Sequence, residues 1–116
     1  EEMTVKFSYE GIGAWSATFA CDDAEEGQVV KLSAADTAAP CASADAFCGV
    51  CISKRGTVCA VQLGGLAQVT YSGTAPAVGQ AVLAADGKGG VCTAQSGQTC
   101  WVVSVDAAAG TCVIKL

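Results

Sequence analysis

Histidine and asparagine are absent from this chain, and proline, methionine, aromatic and basic residues are scarce. Without histidine, the side chain that serves most often as a base near neutral pH is gone. A Ser or Cys nucleophile would then need a Lys or carboxylate partner, and no motif sets one beside it. Carboxylates cluster only at Glu1 and Glu2 and in the stretch 22–26, where nothing would raise a pKa. The sequence therefore predicts no enzyme and no catalytic residue. Lack of asparagine removes every N-glycosylation acceptor. Six Lys plus Arg stand against eleven Asp plus Glu, a net charge of −5, and the one adjacent basic pair is Lys54 and Arg55. Nucleic-acid binding needs a basic face that displaces counterions, so that class of partner is excluded. No run approaches the ~18 apolar residues that span a bilayer, so no membrane partner is expected. The opening Glu1, Glu2, Met3 lacks the basic start and apolar core of a signal peptide, and the non-Met first residue leaves upstream removal open.

Aromatics amount to two Trp, two Tyr and three Phe, while hydrophobic residues make up 52%, much of it alanine. That balance does not suit a disordered chain, which needs low hydrophobicity and high net charge. It suits a pleated core of Val, Ala, Cys and Leu. A length of 116 residues predicts a single domain with a modest core.

Cysteine is abundant, at Cys21, Cys41, Cys48, Cys51, Cys59, Cys92, Cys100 and Cys112. An even count in a short chain reads as a disulfide framework if the protein matures in an oxidising compartment. Cys48 and Cys51 have zinc-knuckle spacing, but no second such pair and no histidine completes it. In an extended strand the two would also face opposite ways, so no metal ligand is assigned. The remaining reading is packing, since cysteine behaves as a small buried hydrophobe and these residues sit in strand words where Val or Ala would serve. Absence of a secretion signal puts packing first, with disulfides as the alternative. The acidic stretch 22–26 lacks calcium-loop spacing and reads as a solvated loop. Gly87, Lys88, Gly89 and Gly90 lack the spacing of a phosphate loop and read as a turn. No cofactor is expected.

Self-similarity organises the rest. Gly27-Gln28-Val29-Val30, then Ala34-Ala35-Asp36, then Gly56-Thr57 is echoed by Gly79-Gln80-Ala81-Val82, Ala84-Ala85-Asp86 and Gly110-Thr111. The halves 27–63 and 79–116 read as similar three-strand meanders, joined by a strand at 63–71 and a turn at 72–79 and related by an approximate two-fold axis. Residues 4–10 alternate, with Val5, Phe7 and Tyr9 on one side. Residues 14–20 alternate again, with Trp15, Ala17 and Phe19 on one side. This pair reads as an N-terminal hairpin over 1–20, outside the repeat unit 21–116, either a core strand pair or an arm that docks on a partner. Strands are further expected at 27–33, 46–53, 57–63, 66–71, 80–85, 91–93, 100–105 and 111–116, with 34–46 a loop around Pro40. The class is all-β, a small barrel or sandwich. Val5, Phe7, Tyr9 and Trp15 are the candidate partner-binding residues, since aromatic anchors dominate interface energetics.

Certain words resemble those of a known family. They are Gly27-Gln28-Val29-Val30-Lys31-Leu32, Phe47-Cys48-Gly49-Val50-Cys51-Ile52, the run from Cys59 through Leu63-Gly64-Gly65-Leu66 to Val69, and Pro76-Ala77-Val78-Gly79-Gln80. Together, over residues 27–116, they resemble the capsid decoration (head cement) proteins of tailed bacteriophages. The resemblance implies a small β-protein, made in the bacterial cytoplasm, that binds the outside of the expanded capsid. It implies the major capsid protein as partner and a homotrimer on the shell. Richness in cysteine and the aromatic segment depart from that pattern. The alternative is a secreted or cell-surface β binding module held by disulfides.

Overall fold

The computed structural model describes residues 13–116, and no helix occurs among them. Ten strands follow one another: β1 (Trp15–Ala20), β2 (Val29–Ala34), β3 (Thr37–Pro40), β4 (Gly49–Arg55), β5 (Val58–Gly64), β6 (Leu66–Thr70), β7 (Gly79–Ala85), β8 (Val91–Thr93), β9 (Gln98–Asp106) and β10 (Thr111–Lys115). The first five close into a barrel in the order β1-β3-β2-β4-β5, and the last five form a sheet in the order β6-β10-β9-β7-β8. Counting from the first strand of each unit, both orders read first, fifth, fourth, second, third. Even the closing contact recurs: β1 meets β3 in parallel at Ala20 and Thr37, and a lone parallel bridge joins Tyr71 to Val91.

The duplication is therefore wider than the sequence words suggest. Each unit has five strands rather than three, and it starts at β1 and β6. Trp15–Ala20 pairs antiparallel with β5 along its whole length and so belongs to the barrel. The partner strand expected at 4–10 lies outside the described residues. The expected loop over 34–46 contains β3, which runs antiparallel to β2 and ends on Pro40. Proline lacks an N–H for a ladder and is tolerated at such a strand end.

Registers fix the equivalence residue by residue. In β4 the ladder to β5 skips Ile52, and in β9 the ladder to β10 skips Val103. Aligning these bulges matches Cys51 with Val102, Val50 with Trp101 and Gly49 with Cys100. Across the neighbouring ladder, Val50 pairs with Val29 and Trp101 with Gln80, so Leu32 matches Leu83. The hairpins differ in length, with two residues between Arg55 and Val58 and four between Asp106 and Thr111, yet Gly56 (φ 58°) and Gly110 (φ 71°) both take the left-handed conformation that glycine allows without a Cβ clash.

Two clusters hold the molecule. Cys21, Ala24, Val30, Ala38, Cys51, Cys59 and Val61 fill the barrel. Leu83, Val91, Val102, Cys112 and Ile114 centre the other, which also takes Val29, Cys41, Phe47 and Val50 from the first unit. Val29 alternates with the inward Val30, so it projects from the outside of the barrel. The barrel's outer face thus covers the inside of the second sheet, and the two units share a core. Hydrogen bonds reinforce this seam. The Phe47 N–H donates to Gln98 Oε1 (2.9 Å) while Gln98 Nε2 donates to the Phe47 carbonyl (3.0 Å). The Ala44 N–H donates to the Ala85 carbonyl (2.9 Å), and the Ala85 N–H to the Asp45 carbonyl (3.0 Å).

Candidate interaction surface

Several large apolar side chains stand exposed and are used by neither core. Among the described residues these are Trp15 (60% exposed), Leu32, Ile52, Val58, Val78 and Trp101 (52% exposed). Of the four residues picked from sequence, Trp15 is the one described, while Val5, Phe7 and Tyr9 lie outside the described residues. Trp15 opens β1 opposite Gly64. Its indole lies where a Cβ on Gly64 would stand, so the glycine lets the ring rest against the end of β5. Phe19, on the same strand, turns inward and packs on the barrel cluster.

Trp101 was not singled out from sequence. The signal was legible: Cys100 and Val102 point inward, so period-two alternation turns Trp101 outward. Lys115 is its neighbour across the β9–β10 ladder and is exposed. Between the units runs an open groove of about 430 Å³, bordered by Glu26, Ile52, Gln62 and Leu66. The Gln62 side-chain amide spans its floor, donating to the Gly64 and Leu66 carbonyls (both 2.9 Å).

Polar chemistry on this surface is structural. Lys31 Nζ donates to Asp45 Oδ2 at 2.7 Å, and this bond holds the Asp45 carboxyl below the usual carboxylate range. The carboxylates of Asp22, Asp23, Glu25 and Glu26 point to solvent while Ala24 between them is fully buried, which anchors the acidic loop. No group of three His, Cys, Asp or Glu side chains forms a metal-binding set among the described residues.

All eight cysteines are free thiols. Burial pushes the Cys41 thiol up to about 11 and, with neighbouring thiols adding to it, the Cys59 thiol up to about 12. Burial also raises Cys48, Cys51, Cys100 and Cys112. Thiols kept protonated in this way are poor nucleophiles. One expectation needs correction. Cys48 and Cys51 do not face opposite ways, because β4 begins only at Gly49 and Cys48 packs against the cluster that holds Cys51.

No family model matches this chain, and no curated protein matches it either.

Proposed function

We propose that this chain is a capsid decoration protein. It binds the outer surface of a tailed-phage capsid, sits there as a trimer, and stabilises contacts between capsomers. The observation that carries the reading is the set of exposed tryptophans and aliphatics on a β-scaffold whose two cores are complete without them. Such residues are the anchors of interfaces, and a lattice with many copies turns weak single contacts into strong attachment. The resemblance of residues 27–116 to the head cement family supplies the partner, the major capsid protein. An acidic exterior is compatible with the outside of a shell, away from packaged DNA.

Co-sedimentation tests it, using expanded capsids stripped of this protein and taken from the phage that carries its gene. The full chain should pellet with the shells. Trp15→Ala should bind at least about tenfold more weakly, as expected for an aromatic anchor. Truncation should stop before Gly13, because removing residues 1–20 would delete a barrel strand and confuse unfolding with lost contact. A chain lacking 1–12 should keep its circular dichroism and lose attachment. Full-length protein left in the supernatant would overturn the proposal.

One observation favours the second reading, a disulfide-stabilised secreted or cell-surface binding module. Cys21, Cys51 and Cys59 pack together in one buried cluster. A thiol titration of native protein separates the two readings: eight free thiols support the cytoplasmic capsid protein, and four disulfides support the module.

A further inference from the structure

β6 is an edge strand of the second sheet, and the parity of its hydrogen bonds shows what that edge offers. Its ladder to β10 runs without a bulge from Leu66 to Thr70. At the two ends, the Leu116 N–H donates to the Gly65 carbonyl (2.8 Å) and the Tyr71 N–H to the Gly110 carbonyl (3.0 Å). Odd-numbered residues therefore turn their backbone groups to β10. Bonded and non-bonded pairs alternate along an antiparallel ladder, so Leu66, Gln68 and Thr70 turn theirs the other way. Two bonds on that side agree. The Leu66 carbonyl accepts from Gln62 Nε2 (2.9 Å), and the Ser72 N–H donates to the Val91 carbonyl (2.9 Å). Between them, the N–H and carbonyl of Gln68 have no protein partner among the described residues. Gln68 is exposed, so water serves them.

This edge opens into the groove between the units, which Gln68 lines together with Ile52 and Leu66. Farther along, the edge is shut: a Cβ on Gly90 would run into the Thr70 backbone, and Val91 bridges to Tyr71. The open stretch is short and has apolar surface beside it. Ile52, which the β4–β5 ladder skips, is 46% exposed, and Leu66 is half-buried. Charge on the rim has one sign. Among the described residues, the one charged side chain lining the groove is Glu26, and Asp22, Asp23 and Glu25 stand exposed just before it. An open sheet edge is a template for an added strand, held by main-chain bonds and selected through its alternate side chains. These walls select apolar side chains against Ile52 and Leu66, and a lysine or arginine toward Glu26.

We propose that this groove binds an extended segment of a partner protein as an added strand on β6, one that alternates apolar residues with lysine or arginine. Gln68 supplies the main-chain donor and acceptor, Ile52 and Leu66 the apolar contact, and Glu26 the charge that selects a basic strand. Binding of this kind does not require a capsid and takes place on the purified chain.

Amide chemical shifts of the isotope-labelled full chain test it, in titrations with a capped Val-Lys-Val-Lys-Val peptide. The shifts should saturate at millimolar peptide or below and centre on Gln68, Ile52 and Gly27. Gln68→Pro removes the edge donor and spares the β10 ladder, which uses the odd-numbered residues, so its circular dichroism should match the wild type. It should bind the peptide at least about tenfold more weakly. Glu26→Lys lies at an exposed position and serves as a second variant whatever becomes of the first. The wild type should prefer the lysine peptide to Val-Glu-Val-Glu-Val by about threefold, and Glu26→Lys should reverse that order. No saturable shift in the wild type, Gln68→Pro binding like the wild type, or an unreversed preference in Glu26→Lys would each overturn the proposal. So would a Gln68 amide protected from exchange before any peptide is added. Protection at every concentration would assign the edge to this chain's own first residues, and protection that grows with concentration would assign it to a second copy.

Discussion

Inside the first unit, Val30, Ala38, Cys51, Cys59 and Val61 meet at the centre, and none is larger than valine. Inside the second, Leu83, Ile114, Val91 and Val102 do the same work with Phe47 borrowed from its neighbour. The strand order is common to both, so the difference lies in closure. A five-stranded barrel has a narrow interior that small side chains fill, whereas a sheet whose edges meet at one bridge has room for larger ones and needs a lid. The first unit is that lid. Dependence between the halves is consequently one-sided: the barrel owns its core, and the sheet completes its core with four residues that it does not encode.

Phe47→Ala breaks the comparison most sharply. Phe47 is 5% exposed and sits in the second unit's core. Losing it should cost about 3–5 kcal/mol in urea unfolding, the range for a buried aromatic cut to alanine. Amide exchange should rise most in β7–β9 rather than in the barrel strands that flank Phe47 in sequence. Loss of protection confined to β4 and β5 would show that the barrel, not the sheet, depends on this ring.

A smaller effect is expected where the units place different residues at one register position. Gly49 in the barrel matches Cys100 in the sheet. A Cβ on Gly49 would run into the Gln62 carbonyl and the Val61 side chain, so closure leaves no space for it. Gly49→Ala should cost about 2–3 kcal/mol, since the clash is with backbone. Cys100→Ala, which removes one sulfur from a position already built for a side chain, should cost about 1 kcal/mol. Equal losses in parallel melts would mean that closure does not set the space available at this position.

Much of this duplication was legible in the sequence, and the reasons are local. The Gly-Gln words show because Gly27 (φ 88°) and Gly79 (φ 108°) hold a conformation that other residues avoid, although the ladders match Gly79 with Gln28, one residue out of step with the words. The first strand of each unit was harder to match, because Trp15–Ala20 and Leu66–Thr70 share only an alternating pattern. β3 was hidden by its length of 4 residues and by Pro40. Nothing local marks Phe47 as belonging to the other unit's core, because that contact spans half the chain. Of the candidate surface, Trp15 was read directly, whereas Trp101 required seeing that its neighbours Cys100 and Val102 are both inward.

The smallest predicted effect concerns the turn between each unit's second and third strands. In the first unit the chain reverses over Ala35 and Asp36, with Asp36 left-handed (φ 58°). In the second the loop 86–90 is longer, and Asp86 ties it together. Asp86 Oδ1 accepts from the Lys88 N–H (2.7 Å) and the Gly90 N–H (3.0 Å), and Oδ2 from the Ser72 hydroxyl (2.6 Å). Burial alone would raise this carboxyl, but those bonds together hold it below the ordinary value of 3.8. A carboxylate lowered in the folded state adds stability above its unfolded value, and that share is lost as pH falls through the folded one. Asp86→Asn should therefore cost about 1 kcal/mol at neutral pH, since the site is half-buried and water screens part of each bond. It should cost progressively less below pH ~4, as the carboxyl of the unfolded chain and then, at lower pH, that of the folded one takes up a proton. Asp36→Asn should change little, because asparagine tolerates the left-handed conformation that this turn requires. Thermal melts of both variants at neutral and acid pH decide the matter. A pH-independent loss for Asp86→Asn would show that the loop is held by shape and that the charge of Asp86 contributes nothing.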